Sequence, residues 1–462
     1  MGNQPTITIL GTGYVGLTTA ALTAAAGMKT YLIDPNPTRL ESVRAGKSFF
    51  YEAGLDSLVA DGVANGRIIP TPVYAEAVLQ SDIVISAVGT PDNPDGSSNL
   101  NYVFAAASEA AQYLKPDAVY VQKSTVPVGT GNKIRQLFMN AGQNRAYVSN
   151  PEFLREGTAL ADSLWFDRIV VGGTDANALA KVMQLYKDIE SNRTAIAGLA
   201  GLSAPANYQS GAYISVALES AELIKVTANA FLALKISFAN SIALLADQTG
   251  ADILEVMDGV GADKRIGRAF LNAGRGYGGG CFPKDVSGLI AAGLEHDVSL
   301  EIMEAAQAVN EGMPGYIIEK LQDALGGSLE HTEVAVLGLA FKAGTSDIRR
   351  SPGMHIANLL TQAGSAVRVF DPKAGQEAAG QLDERVAIAE SIEQAIHDAG
   401  AIVVATDWPE FVEYTPQAYA AQLQGGIFVD AMNVFNAQAF SAAGIHYIGI
   451  GRSGNSKEHA VL

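Results

Sequence analysis

Short apolar runs alternate with Ala-rich stretches of helical spacing along the first part of the chain. Apolar residues fill positions 6–10, a glycine turn follows, and an Ala-rich stretch continues to about Ala26 before a second apolar run at 30–33. This order is typical of a strand–helix–strand unit. Similar runs at 83–87, 119–122 and 169–171 alternate with helical patterns at 102–114 and 132–140. Residues 1–205 are therefore predicted to form one parallel, doubly wound sheet with helices on both faces.

The middle of the chain has a different pattern. A stretch rich in Gly, Ala, Ser and Pro at 198–210 is predicted to be a loop. From about 213 to 248 there is no proline or interior glycine, and apolar residues recur at helical spacing, which predicts one helix about 50 Å long. Helical patterns continue to about 325, interrupted by the glycine-dense segment 274–280. We expect a helical domain over 206–325.

Strand patterns return in the last third of the chain. Apolar runs lie at 333–337, 367–370, 401–405 and 426–429, and the second of them ends on Asp371. A second α/β domain is predicted over 326–462, with a frayed polar tail after Gly451. The predicted fold class is thus α/β, with two Rossmann-like doubly wound domains joined by a long central helix and a helical middle domain.

Composition narrows the function classes. Among 462 residues there are 31 Lys plus Arg and 48 Asp plus Glu, a net charge of −17, which argues against a surface that binds nucleic acid or anionic lipid. A single cysteine excludes an internal disulfide and a cysteine-rich metal site, and the six histidines show no metal-binding spacing. Charges or glycines interrupt each apolar stretch before the ~20 residues of a membrane span. We expect a soluble cytoplasmic protein without a metal.

A glycine-rich turn follows the first predicted strand. Gly11, Gly13 and Gly16 form GTGYVG, which permits a tight turn and close approach of a pyrophosphate to a helix N-terminus. Asp34 ends the next strand, 34 − 13 = 21 residues after the middle glycine, where an acidic residue binds the adenosine ribose diol. The pattern predicts NAD as the cofactor. Arg39 is either a residue that admits a 2′-phosphate or a solvated helix residue.

The single cysteine lies in the segment GRGYGGGCFPKD. The preceding glycines let the backbone approach a ligand, and Lys284 can stabilise a thiolate at Cys281. Most free cysteines are inert and buried, but this position beside a predicted NAD domain favours a nucleophile.

Other candidates each have a structural alternative. Lys225 and Asn229 share one face of the predicted long helix, although a lysine there can also extend its charge to water. Glu152 and Glu156 in NPEFLREG could flank a site or interact with a helix dipole. Thr125 in KSTVPVGT, just before Pro127, could cap a helix or contact the cofactor.

A cationic loop follows the first strand of the last predicted domain. It contains Lys342, Arg349 and Arg350, at the strand end where open α/β sheets bind ligands. Three cations there suit an anionic ligand in an otherwise acidic chain, and a solvated basic loop is the alternative.

Taken together, these motifs resemble the UDP-glucose 6-dehydrogenase family. GTGYVG, STVPVGT, NPEFLREGTA, AELIK with Asn229, the run from Arg265 through CFPKD, and GLAFK occur in the family's order along nearly the whole chain. The resemblance implies oxidation of UDP-glucose to UDP-glucuronate with two NAD, through a Cys281 thiohemiacetal and thioester. It also implies a homodimer or higher homo-oligomer that forms through the central helix, with Arg265 reaching the substrate of a neighbouring subunit.

The resemblance assigns roles to individual positions. The catalytic residues it implies are Cys281, Lys225, Asp285, Asn229, Thr125 and Glu156. The implied NAD-binding residues are Gly11, Gly13, Tyr14, Val15, Gly16, Asp34, Arg39, Thr90, Thr125, Glu156, Lys284 and Arg349. The implied substrate-binding residues are Glu152, Phe153, Leu154, Arg155, Glu156, Lys225, Asn229, Arg265, Phe270, Leu271, Asn272, Ala273, Gly274, Gly278 and Lys342.

Two positions depart from the family pattern. Gly280 stands where the family usually has Ser, and Met432 stands where it often has Arg before Asn433, so one polar contact to the substrate is lost. The alternatives are therefore a dehydrogenase for UDP-N-acetyl-mannosamine, UDP-N-acetyl-glucosamine or GDP-mannose, and a non-catalytic NAD-responsive binding protein. NPEFLREG favours UDP-glucose, and the intact set of Cys281, Lys225 and Asp285 favours catalysis.

Overall fold

The computed structural model describes residues 4–452, apart from the side chain of residue 425. The chain divides into two compact units, Met1–Ala228 and Asn229–Leu462, and the boundary falls inside a long helix. The division into three domains at 205 and 325 stays a prediction.

The first unit is built on an eight-stranded sheet of order β3-β2-β1-β4-β5-β6-β7-β8. The strands are β1 (Ile7–Leu10), β2 (Thr30–Ile33), β3 (Ile68–Thr71), β4 (Ile83–Ser86), β5 (Val119–Gln122), β6 (Ala146–Ser149), β7 (Arg168–Gly172) and β8 (Ala212–Val216). Strands β1 to β6 pair in parallel, but β6 meets β7 antiparallel at Ser149 and Gly172, and β8 is parallel to β7. The prediction of a wholly parallel sheet was wrong at this edge.

Helices cover both faces of this sheet. They are α1 (Tyr14–Ala25), α2 (Pro37–Arg44), α3 (Leu55–Ala64), α4 (Tyr74–Val78), α5 (Asn101–Ala111), α6 (Thr130–Asn140), α7 (Ala159–Leu164), α8 (Ala176–Ser191) and α9 (Arg193–Ala200). Every residue of β1, β2, β4 and β5 is buried, which is why these strands are apolar runs rather than alternating patterns. Their carboxyl ends leave room for a ligand at the topological switch between β1 and β4.

The second unit contains a six-stranded parallel sheet of order β11-β10-β9-β12-β13-β14. Its strands are β9 (Glu333–Leu337), β10 (Ala366–Phe370), β11 (Ala387–Ile388), β12 (Ala399–Val404), β13 (Leu423–Asp430) and β14 (His446–Gly449). The chain order again reverses beside the first strand, here between β9 and β12, so this sheet has its own switch point. Two doubly wound α/β sheets were predicted, and both are present.

Helical segments precede and surround the second sheet. They are α10 (Leu218–Thr249), which enters from the first unit, α11 (Ile253–Gly261), α12 (Phe282–Glu295), α13 (Glu301–Ala324), α14 (Pro352–Gln362), α15 (Gly375–Ala378), α16 (Ile392–Ile396), α17 (Pro409–Glu413), α18 (Pro416–Ala420) and α19 (Ala437–Ala442). Helices α10 to α13 form the predicted helical region, and α12 begins directly after the single cysteine.

The long helix begins later than predicted. The helix is predicted from about residue 213, but residues 213–216 belong to strand β8, and the helix runs over 32 residues, about 48 Å. By length and apolar composition this helix could cross a membrane, but core helices of soluble proteins pass the same test, so the evidence is weak. The prediction of a soluble cytoplasmic protein stays a prediction.

The other predicted elements are present with small shifts at their ends. Strands β2 and β9 match their predicted bounds, whereas β12 and β13 begin two or three residues earlier than predicted. The segment predicted to be a loop at 198–210 begins inside α9. The frayed tail predicted after Gly451 lies outside the described residues except for Arg452.

Candidate functional site

The turn after β1 has the shape of a pyrophosphate cradle. Gly11 has a φ of 96°, which favours glycine. A Cβ atom on Gly16 would lie 1.9 Å from the Gly11 carbonyl oxygen, so only glycine allows this close packing of α1. A Cβ atom on Gly13 would meet nothing within 4 Å, which leaves open space in front of the helix N-terminus. The residues present therefore fit a bound dinucleotide.

Asp34 lies at the end of β2, beside that turn. Its Oδ2 atom accepts hydrogen bonds from the Thr12 backbone N–H (2.8 Å) and hydroxyl (2.5 Å), and its Oδ1 atom accepts one from the Asn36 N–H (2.9 Å). These bonds fix the carboxylate at the strand end where an acidic residue hydrogen-bonds an adenosine ribose. Arg39 is half exposed and its guanidinium lies 3.7 Å from the carboxylate, which favours an ion pair with Asp34 over a 2′-phosphate site.

A partly buried tyrosine joins this turn to the segment NPEFLREG. The Tyr14 hydroxyl donates to Glu52 (2.5 Å) and lies 2.9 Å from the Arg155 carbonyl oxygen, while Glu52 also accepts the Leu160 N–H (3.1 Å). Burial raises the pKa of Tyr14, and the Glu52 and Glu156 charges raise it further. Burial also raises the pKa of Glu52. Sequence reasoning missed Glu52, because nothing in its local pattern shows that it reaches two other segments.

Lys225 and Glu152 form a buried ion pair. The ammonium lies 3.2 Å from Glu152 Oε1 and 5.5 Å from the centre of the Phe153 ring, and the Lys225 side chain is only 3% exposed. Glu152 also accepts the Leu154 N–H (2.5 Å). Lys225 therefore does not extend to water. Neither Glu152 nor Glu156 lies in a first helical turn, because α7 begins only at Ala159. The two structural alternatives, a lysine that reaches water and carboxylates that interact with a helix dipole, were therefore both wrong.

The segment KSTVPVGT follows β5 as a loop, and Thr125 does not cap a helix. The N-cap residue of α6 is Gly129, with a φ of 88°. The carboxylate of Glu222 on α10 accepts the N–H groups of Gly129 and Gly131, each at 2.7 Å. The Ser124 hydroxyl donates to the Val88 carbonyl oxygen (2.7 Å), which brings this loop to the segment that contains the half-buried Thr90.

In the second unit, Cys281 is the N-cap residue of α12, and its side chain is partly buried. Its carbonyl oxygen accepts the Asp285 N–H (2.8 Å), which places Asp285 in the first turn. The Asp285 carboxylate is 2% exposed; it accepts a hydrogen bond from Asn229 Nδ2 (2.6 Å) and pairs with Lys284 Nζ (2.7 Å). The N-terminus of a helix favours a thiolate over a thiol.

The glycines before Cys281 pack against the cationic loop after β9. A Cβ atom on Gly278 would lie 2.3 Å from the Arg350 carbonyl oxygen, and one on Gly280 would lie 2.5 Å from the Arg349 guanidinium. Arg349 also pairs with Asp347 at 2.5 Å. Glycine at 280, where the family usually has serine, thus leaves room for this guanidinium beside the cysteine.

The segment predicted to contact the nucleotide sugar is held in place by two asparagines. Asn240 Oδ1 accepts the Gly274 N–H (2.7 Å), and Asn433 Nδ2 donates to the Ala273 carbonyl oxygen (3.1 Å). Phe270 has a φ of 65°, a strained conformation that is common at ligand sites. Leu271 is buried, whereas Asn272 is exposed and accepts a hydrogen bond from Arg268.

Two predicted cationic contacts lie in different environments. Lys342 is half-buried after β9, with its ammonium 5.7 Å from the centre of the Phe341 ring. The Arg265 side chain is 89% exposed and pairs with Asp263 at 2.5 Å. Groups of three or more His, Cys, Asp or Glu suited to a metal ion do not occur in residues 4–452.

The second sheet repeats the acidic strand end of the first. Asp371 follows β10, as Asp34 follows β2, and accepts the N–H groups of Leu339 (2.8 Å) and Ala340 (2.9 Å) and the Trp408 indole N–H (3.1 Å). These hydrogen bonds fix the conformation of the loop after β9. Each unit thus has an aspartate directly after the second strand of its doubly wound sheet, as nucleotide-binding sheets do. The second unit also has a cysteine at a helix N-terminus. These features define a nucleotide-binding protein with a candidate thiol nucleophile, as in cofactor-dependent dehydrogenases.

Comparison with known proteins agrees with this class. The UDP-glucose/GDP-mannose dehydrogenase family matches in three parts: its NAD binding domain over residues 5–190, its central domain over 219–312, and its UDP binding domain over 335–437. The chain is 39% identical to UDP-glucose 6-dehydrogenase TuaD of Bacillus subtilis, over 96% of this chain and 93% of that protein. It is 37% identical to UDP-glucose 6-dehydrogenase of Rhizobium meliloti, over 96% of this chain and 99% of that protein.

Solved structures agree as well. A UDP-glucose dehydrogenase from Pyrobaculum islandicum has a TM-score of 0.86 at 35% identity, over 98% of each chain. A UDP-D-ManNAc dehydrogenase from Pyrococcus horikoshii has a TM-score of 0.83 at 25% identity, over 97% of this chain and 100% of that chain. The chain belongs to the UDP-glucose/GDP-mannose dehydrogenase family. It is an oxidoreductase, and its cofactor is NAD.

Proposed function

We propose that this enzyme oxidises the C6 hydroxymethyl group of UDP-glucose to a carboxylate, with Cys281 as the covalent nucleophile. The observation that carries the proposal is the arrangement around Cys281: a thiol at the N-terminus of α12, followed in the first turn by a buried carboxylate that Asn229 and Lys284 hold in place. The relatives from Bacillus subtilis and Rhizobium meliloti are named UDP-glucose 6-dehydrogenases, which supports UDP-glucose as the substrate.

The reaction needs a thiol because an aldehyde cannot be oxidised further by loss of hydride alone. NAD, when bound, supplies the hydride acceptor for each of two oxidations. Cys281 Sγ bonds to the aldehyde carbon while the aldehyde oxygen gains a proton, which restores a carbon that bears both hydrogen and hydroxyl. Loss of hydride and a proton leaves a thioester. Water then bonds to the carbonyl carbon, the carbon–sulfur bond breaks, and the thiol and carboxylate are released.

The remaining residues have separate parts in the proposal. Asp285, with Asn229 and Lys284 as its partners, orients water or takes its proton. Lys225 offers a positive charge to developing oxyanions, and Glu152 fixes its ammonium. Thr125 and Glu156 help to order water and the cofactor. Gly11, Gly13, Gly16 and Asp34 hold NAD.

We also propose that two copies of the chain associate through α10. Phe231, Phe238 and Leu245 recur every seven residues on this helix, and their side chains are 59%, 48% and 59% exposed. Exposed apolar side chains that recur every seven residues lie on one face of a helix, where they can pack against a second helix. A two-fold axis would pair this stripe with itself.

A substrate panel tests the proposed function. We expect purified protein with NAD to form NADH with UDP-glucose, and to act at least about 100-fold less efficiently on UDP-N-acetyl-mannosamine, UDP-N-acetyl-glucosamine and GDP-mannose. Turnover with one of these sugars and none with UDP-glucose would transfer the assignment to that sugar. Tight NAD binding without turnover on any sugar would instead favour the non-catalytic alternative.

A further inference from the structure

Arg275 lies where the loops after two parallel strands meet. Its backbone N–H donates to the carbonyl oxygen of Ala431, directly after β13, and its Nη2 atom donates to the carbonyl oxygen of Phe341, after β9. The distances are 2.8 Å and 2.5 Å. The carboxyl ends of such strands are where open α/β sheets bind their ligands. Both loops lie within the part of the chain that matches the UDP binding domain.

The guanidinium of Arg275 is buried but incompletely bonded. The residue is 3% exposed, its Nε atom contacts the sulfur of Met432 at 3.0 Å, and Nη1 is buried without a hydrogen-bond partner among residues 4–452. A thioether is only a weak acceptor, and a guanidinium has five donors. Buried donors that lack partners cost stability, so an incompletely bonded one needs an explanation.

This guanidinium is also a cation without an ion pair among the described residues. Burial lowers the pKa of Arg275 to about 10, and the charges of Asp407 and Asp371 act in the opposite direction. The group therefore stays protonated at neutral pH. Asp371 already accepts five hydrogen bonds, from the N–H groups of Leu339, Ala340, Lys373 and Ala374 and from the Trp408 indole. A buried, protonated guanidinium whose bonded partners are neutral is suited to an anion.

The side chain that contacts the Arg275 guanidinium is Met432, the residue that departs from the family pattern. The resemblance predicts an arginine at 432, and the side chain that stands there instead contacts Arg275. Methionine is unbranched and flexible, so it can move aside when a ligand oxygen replaces its sulfur. We propose that the guanidinium of Arg275 binds the diphosphate of the nucleotide sugar, in place of an arginine at position 432. This inference rests on the proposed function and adds a substrate-binding residue to it.

The test compares UDP with uridine, which lacks the diphosphate, on the full-length protein. We expect Arg275→Leu to weaken UDP binding about 10- to 100-fold, as loss of charge-assisted hydrogen bonds does, and to leave uridine binding within about twofold. Arg385→Leu is the matched control, because Arg385 is exposed and pairs with Asp383. It should leave both affinities unchanged.

A second variant distinguishes binding from folding. Met432→Arg added to Arg275→Leu should recover at least about tenfold of the lost UDP affinity, because it returns a guanidinium to the same place. If Arg275→Leu does not fold, Arg275→Lys is measured instead and should still weaken UDP more than uridine.

Three results would overturn the inference: unchanged UDP affinity in the Arg275 variant, an equal loss for UDP and uridine, or no recovery with Met432→Arg. An unmodified protein that binds no UDP would overturn the proposed function itself, and this inference with it.

Discussion

Lys225 and Glu152 form a buried ion pair in which each charge needs the other to offset its loss of water. Both side chains are buried, and their charges lie 3.2 Å apart. Removing one member leaves the other charge buried alone, which typically costs about 3–5 kcal/mol, whereas replacing both with neutral groups costs far less.

We therefore expect Lys225→Met to lower the free energy of unfolding by about 3–5 kcal/mol and the double variant with Glu152→Gln to regain most of that loss. Denaturant titration measures both. If the proposed role of Lys225 in catalysis holds, NADH formation stays at least about 100-fold reduced in the double variant, although its stability recovers. Lys29→Met, at an exposed lysine of the same unit, is the control. A Lys225→Met protein as stable as the unmodified one would contradict this account of the pair.

Single residues were the easiest part of the site to predict from the sequence. Gly11, Gly13, Gly16 and Asp34 have a fixed spacing, and the structure brings them together at the carboxyl ends of the neighbouring strands β1 and β2. The Lys225–Glu152 pair could not be predicted, because helical spacing does not distinguish a buried ion pair from a lysine that reaches water. Arg275 was missed for a related reason: a glycine-rich loop gives no periodic signal of burial.

At the scale of elements, Glu222 connects the long helix to the loop after β5. It is 2% exposed and accepts two backbone N–H groups at the start of α6. Burial raises its pKa from 4.5 to about 7, although the bonds from Gly131 and Gly129 act in the opposite direction. Because the folded-state pKa lies above the unfolded value, the stabilisation is complete below pH 4.5 and is lost as the pH rises through 7.

We expect the free energy of unfolding to fall between pH 5.5 and pH 8 by about 2 kcal/mol more in the unmodified protein than in Glu222→Gln, which cannot ionise. Denaturant titrations at several pH values provide the comparison, and the difference between the two proteins removes the contributions of other titrating groups. Identical pH slopes would show that Glu222 is already ionised throughout this range.

Secondary-structure prediction failed for segments whose conformation depends on pairing with a distant strand. The segment 213–216 lacks proline and glycine and is therefore predicted as part of the following helix, but it contains Tyr, Ile and Val and pairs with β7 as a strand. The reversal of direction between β6 and β7 has the same origin, because only the pairing of distant segments reveals it. Strands β1, β2 and β9 were predictable because each is a buried apolar run beside a helix.

At the scale of the whole molecule, the exposed stripe on α10 predicts the oligomeric state. Phe238→Glu should convert a dimer into a monomer in sedimentation experiments, because a charge at the centre of an apolar seam must be desolvated. Leu294→Glu, at an exposed apolar residue of α12 outside the stripe, should leave the dimer intact. An unmodified protein that sediments as a monomer at micromolar concentration would contradict the proposed association.

The net charge of −17 affects how the whole molecule attracts its substrate. A uridine diphosphate sugar is an anion, so the overall field opposes its approach and buried or local cations must compensate. Lys225, Arg275 and Lys342 are the cations to which we give this role.

The most direct test of the central claim is the stoichiometry of the complete reaction. With limiting UDP-glucose and excess NAD, we predict two NADH and one UDP-glucuronate for each UDP-glucose consumed. Cys281→Ser should form almost no acid, because a serine hydroxyl is a far weaker nucleophile than a thiolate. One NADH per sugar with release of free aldehyde, or undiminished acid formation by Cys281→Ser, would contradict the four-electron mechanism through Cys281.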